Sequence, residues 1–151
     1  MDWKQKHDLS PDVVTCTSII STFDKAHRWK EAVSLLYAMR KSVAKSTKKQ
    51  CDIQEQFGQW TLPRPNTFTY SAAISACATS RQIDQALHIL QLLKEEEQNK
   101  DDTVAKVNTC TYNAALVACC PSKTSKGENA LKRFEIALTL LSQMRKCVGY
   151  I

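Results

Sequence analysis

The stretch Thr67–Ala78, "TFTYSAAISACA", is echoed by Thr109–Cys120, "TCTYNAALVACC". Aligned on Thr69 and Thr111, both run Thr-Tyr, a polar residue, two alanines and an aliphatic residue. In both a cysteine follows the threonine by eight positions, at Cys77 and Cys119. A weaker copy, "VVTCTSIISTF", surrounds Thr15 and carries Phe23 where the others carry cysteine. An aromatic exchanging with cysteine at one repeat position marks a packing slot rather than a reactive thiol.

A second pattern comes after each copy. "EAVSLLYAM" at Glu31–Met39, "QALHILQLL" at Gln85–Leu93 and "IALTLLSQM" at Ile136–Met144 share an alanine, an aliphatic, a polar residue and two aliphatics. The shared alanines are Ala32, Ala86 and Ala137. Apolar residues at i, i+1, i+4 and i+5 in the first segments, and at i, i+3, i+4 and i+7 in the second, are helical stripes. Pro11 and Pro65 stand where a helix is about to begin. The short joints "DKAHRW" and "ATSRQI" allow each pair to fold back as an antiparallel hairpin. A lone hairpin cannot bury both apolar faces, whereas a stack can. The expected fold is all-α: a solenoid of about three stacked helical hairpins. The expected division of this one domain, 1–151, is repeat 1 at about 13–40, an insertion at 41–64, and repeat 2 at about 67–97. An acidic linker at 98–107 and repeat 3 at about 109–146 complete it.

Composition agrees and excludes several classes. Hydrophobic residues make up 43% of the 151 positions, enough for a core, and only 3 glycines and 4 prolines argue against a turn-rich β fold. No run of about 18 apolar residues is present, so no membrane span is expected. The 7 cysteines form no CxxC pair and no Cys/His zinc spacing, and no cofactor or metal site is expected. Phosphate-binding glycine loops, HExxH and GxSxG are missing, so the chain is not expected to be an enzyme. The N-terminus reads as neither a signal nor a transit peptide. A net charge of +6 is unevenly spread: residues 1–50 hold ten Lys/Arg against five Asp/Glu. Such a surface suits phosphates.

The stretches "VVTCT" at Val13–Thr17, "TFTYS" at Thr67–Ser71 and "TCTYN" at Thr109–Asn113 resemble the opening motif of the pentatricopeptide repeat family. Pro11-Asp12 and Pro65-Asn66 match the close of a preceding unit. The spacings depart from the pattern: Thr15 to Thr69 is 54 residues and Thr69 to Thr111 is 42, against about 35 in the family. The resemblance implies single-stranded RNA binding in mitochondria or plastids, at about one base per repeat. By that resemblance Val14, Phe68 and Cys110 flank bases, while Thr17, Ser71 and Asn113 read base edges with the closing residues Asn66 and Asn108. Hydroxyl with amide is the adenine-preferring combination. Two partners therefore compete: RNA, within an organellar ribonucleoprotein, or protein subunits of a larger assembly gripped by the insertion, with Lys45, Lys48, Lys49, Phe57 and Trp60 as its contacts.

Overall fold

A computed structural model of the chain describes residues 10–43, 62–98, 105–120 and 128–147. Every regular element among them is helical. They are α1 (Val13–Lys25), α2 (Trp29–Val43), α3 (Thr67–Thr79), α4 (Ile83–Gln98), α5 (Thr109–Cys119) and α6 (Glu128–Cys147). The expected contacts Lys45, Lys48, Lys49, Phe57 and Trp60 lie outside the described residues.

The first helix of every hairpin starts in one way. Asp12, Asn66 and Asn108 hold extended backbone and cap α1, α3 and α5 by accepting from the N–H of Thr15, Thr69 and Thr111. At Asn66 and Asn108 the threonine hydroxyl accepts the asparagine N–H in return, closing a capping box. Threonine here fills the reciprocal place usually given to Glu or Gln. The motif residue common to all three copies is thus first of all a helix start.

The hairpin bends are also built alike. His27 and Arg81, twelve residues after Thr15 and Thr69, adopt φ of 56° and 60°. Around them Arg28 N–H donates to Phe23 O and Gln82 N–H to Cys77 O, while His27 and Arg81 donate to Asp24 and Ala78. These are Schellman ends, which satisfy carbonyls the helix leaves open. Neither bend uses glycine, the residue for which a left-handed conformation is easiest. Arg81 therefore matches His27 in the fold, and Gln82 matches Arg28. Arg28 itself pairs with Glu31 at the entry of α2.

Packing follows from composition. The first helices α1, α3 and α5 lie side by side, and each second helix packs beneath its own first helix. In addition α2 reaches α3 and α4 reaches α5. Sandwiched on all sides, α3 buries Thr69, Tyr70, Ala73, Ile74, Ala76, Cys77 and Ala78. Its alanines let neighbouring backbones approach, and Ile20, Leu35, Leu36, Met39, Ile89 and Leu93 fill the space below. Each such side chain contributes about 1.5–3 kcal/mol of burial. Cys77 occupies the packing slot read from the sequence, and burial, with Asp24 adding to it, pushes its thiol up to about 12.

Polar ties set the hairpin spacing. Asp24 accepts from Ser75 Oγ at 2.8 Å and Thr79 Oγ1 at 2.7 Å, joining α1 to α3. Arg40 of α2 donates to Glu96 of α4 at 2.6 Å, and Tyr37 Oη meets His88 Nδ1 at 3.0 Å. Lys94 of α4 donates to Gln143 of α6 and stands over the Tyr112 ring.

Candidate nucleic-acid interface

One face of α1 sets Val14 and the polar Thr17, Ser18, Ser21, Thr22 and Lys25 in line at helical spacing. Together with Asn66 and Phe68 at the start of α3, these residues line an open groove of about 580 Å³. Four residues expected from the sequence therefore meet in one place: Val14, Thr17, Asn66 and Phe68.

Their roles differ. Val14 and Phe68 are 71% and 67% exposed, far beyond what large apolar side chains in a core would show. They form two apolar walls on successive hairpins. Phe68 offers a ring face to a planar group. Thr17 is half-buried, and its hydroxyl lies 2.7 Å from Val13 O and 2.9 Å from Thr69 Oγ1. Its proton is therefore engaged inside the protein, and what it turns outward is a lone pair. Asn66 is arranged the opposite way. Its Oδ1 accepts both the N–H and the hydroxyl of Thr69, each at 2.9 Å, which leaves the amide Nδ2 as the outward group, a donor.

Ser18 and Thr22 donate to the carbonyls of Val14 and Ser18 at 2.8 and 2.9 Å, so they too present lone pairs. Lys25 supplies the positive charge at the far end of the groove. These groove residues beyond the motif were missed in the sequence, although their spacing from Val14 by three or four residues was the available signal.

The second step is assembled differently. Phe68 and Cys110 are exposed, as is the cap Asn108. Ser71 Oγ, however, is shielded from solvent and has no hydrogen-bond partner. Thr111, which stands to Ser71 in repeat register as Thr69 stands to Thr17, turns its hydroxyl to Asn108 O at 2.7 Å. Thr17 meets Thr69, but Ser71 does not meet Thr111. Asn113 is exposed on α5.

No group of acidic, histidine and cysteine side chains that could hold a metal ion occurs among the described residues. No helix among them is long and apolar enough to cross a membrane.

Comparison with known families now adds to this geometry. The family model described as PPR repeat matches residues 14–42 and 68–97, which fall on the first and second hairpins. A search of curated proteins finds no match to the chain. The third hairpin lies outside the matched residues, yet it opens with the same asparagine cap and threonine box as the second. Proteins of this family are generally non-catalytic helical-repeat binders, and the repeats point to RNA. The stacked hairpins and the two matched repeats are consistent with a pentatricopeptide-repeat protein with divergent repeats.

Proposed function

We propose that the chain is a non-catalytic RNA-binding module that takes one base between Val14 and Phe68, with Thr17 and Asn66 against its edge. The observation that carries this reading is the convergence of those four residues on one groove. The hydrogen-bond states of the edge groups select a base. An outward lone pair on Thr17 accepts an exocyclic amino group, and the outward Nδ2 of Asn66 donates to a ring nitrogen. Adenine presents that pair on its Watson–Crick edge, whereas uracil and guanine present the reverse. Cytosine shares the pattern but offers less surface to Phe68, so adenine is preferred. Ser71 and Asn108 form the second slot, with Phe68 and Cys110 as walls, once the Ser71 hydroxyl turns outward. Asn113 serves the third hairpin.

Three steps give few contacts, at about 1–3 kcal/mol of stacking per base before ordering costs. That supports action within a larger ribonucleoprotein assembly rather than alone. Its placement in a mitochondrion or plastid follows from the family resemblance. Fluorescence anisotropy with short single-stranded RNAs tests the reading. Adenine-rich oligomers bind more tightly than uridine-rich ones, and Phe68→Ala lowers affinity by about 5- to 150-fold. Binding indifferent to sequence and to Phe68 would reduce the interaction to charge attraction and refute the slot.

A further inference from the structure

The two hairpin bends carry the same anomaly. His27 and Arg81 hold φ of 56° and 60°, the left-handed region that glycine enters at least cost and where asparagine is the usual substitute. Histidine is found there more often than most residues, but arginine is not. In both bends the place is held by a side chain with N–H donors, an imidazole in one and a guanidinium in the other. Both residues are exposed.

The bends also lie against one another. Ser80 Oγ, one residue before Arg81, donates to His27 O at 3.4 Å. The two left-handed residues therefore stand on one edge of the stack. The carboxylates nearest in sequence do not neutralise them. Asp24 accepts from Ser75 with one carboxylate oxygen and from Thr79 with the other. Glu31 pairs with Arg28, and Asp84 on the first turn of α4 makes no ion pair with Arg81. Among the described residues, neither His27 nor Arg81 joins an ion pair. Lys25, two residues before His27, lines the end of the groove. It lies about 16 Å along α1 from Val14, at the rise of an α-helix. The edge thus continues the groove beyond Lys25.

We infer that His27 and Arg81 form a phosphate-holding edge, which takes the backbone of an RNA strand where it leaves the groove past Lys25. The inference rests on the RNA reading above and adds a contact that no base edge decides. A bend shaped by stability alone would carry glycine. Two adjacent bends that carry exposed, unpaired donors instead give up that stability for an anion. Phosphate oxygens accept from both side chains, and a guanidinium meets them in a fork. Phosphates are common to every sequence, so the edge adds affinity without preference and the base slot supplies the preference.

Arg81→Gly separates the two demands on that residue. It relieves the bend, so the melting temperature holds or rises and weaker binding does not come from misfolding. Fluorescence anisotropy with adenine-rich and uridine-rich single-stranded RNAs, repeated over a series of salt concentrations, reads the contact. Affinity at low salt falls about two- to fivefold for both RNAs. The slope of log affinity against log salt falls by about 0.7, the share of one phosphate on a single strand. Arg81→Lys keeps the slope near the parent's, because the cation remains. His27→Gly lowers affinity at the first bend with the melting temperature preserved. Lys146→Gln removes one exposed charge at the far end of the third hairpin and leaves affinity and slope near the parent's. An Arg81→Gly chain with the parent's affinity and slope overturns the proposal. So does an equal loss in Lys146→Gln, which would make net charge the cause. The base slot is judged separately. An adenine preference with an unchanged slope in Arg81→Gly refutes the edge alone, while a lowered slope without adenine preference supports the edge and refutes the slot.

Discussion

The hydroxyls of Thr17 and Thr69 lie 2.9 Å apart across the α1–α3 contact. Through this contact the helix start of one hairpin is locked to the groove face of the preceding one. Thr69 is fully buried and also closes the Asn66 cap, so a single side chain orients both groups expected to read a base edge.

Thr69→Val keeps the shape and removes the hydroxyl. It leaves Thr17 and the Asn66 N–H short of a partner, at a cost of about 1–3 kcal/mol. Urea unfolding monitored by circular dichroism measures it. Thr15→Val, at the exposed equivalent position, is expected within about 0.5 kcal/mol of the parent. Equal effects at the two sites would contradict the assigned role of Thr69.

The bends offer a gain. His27 holds a left-handed conformation without being glycine, so His27→Gly is expected to raise stability by about 0.5–1 kcal/mol. The same change at Arg81 should act alike, since the two turns share their hydrogen bonds. Thermal unfolding of the two variants checks this, and a loss of stability in both would rule out strain at the bends.

Acid should distinguish the first cap from the others. The N–H and hydroxyl of Thr15 hold the Asp12 carboxyl below its ordinary value of 3.8. A carboxyl lowered on folding contributes stability that is full above its unfolded value and is lost as pH falls through the folded one. Asn66 and Asn108 do not titrate. The stability of Asp12→Asn relative to the parent should therefore be constant above about pH 5 and should rise as the pH falls below about 4, because only the parent loses its cap in acid. Thermal melts of both proteins across that range decide it, and a parent that gained on Asp12→Asn in acid would reverse the sign.

The helices, their pairing and the groove's first slot were legible because they depend on local periodicity and on threonine register. Val14, Thr17, Asn66 and Phe68 fall together because α1 and α3 stack with equal starts. Other features depend on relations that no short window contains. Asp24 meets Ser75 and Thr79 from more than 50 residues away. His27 and Arg81 give no glycine signal at the bend. Ser71 and Thr17 occupy one repeat position, yet the Thr17 hydroxyl meets Val13 O and Thr69 while the Ser71 hydroxyl has no partner, a difference no sequence pattern carries.

The central claim is that Asn66 reads a base with the amide left over from capping. Asn66→Asp tests it most directly, because aspartate caps a helix as well as asparagine does while replacing the outward donor with an acceptor. Anisotropy with oligomers differing at one base should show the preference moving from adenine toward guanine, whose ring N–H now finds an acceptor. The melting temperature should hardly change. An undiminished preference for adenine in the folded Asn66→Asp chain would show that Asn66 is a cap alone and that the groove does not read the base through it.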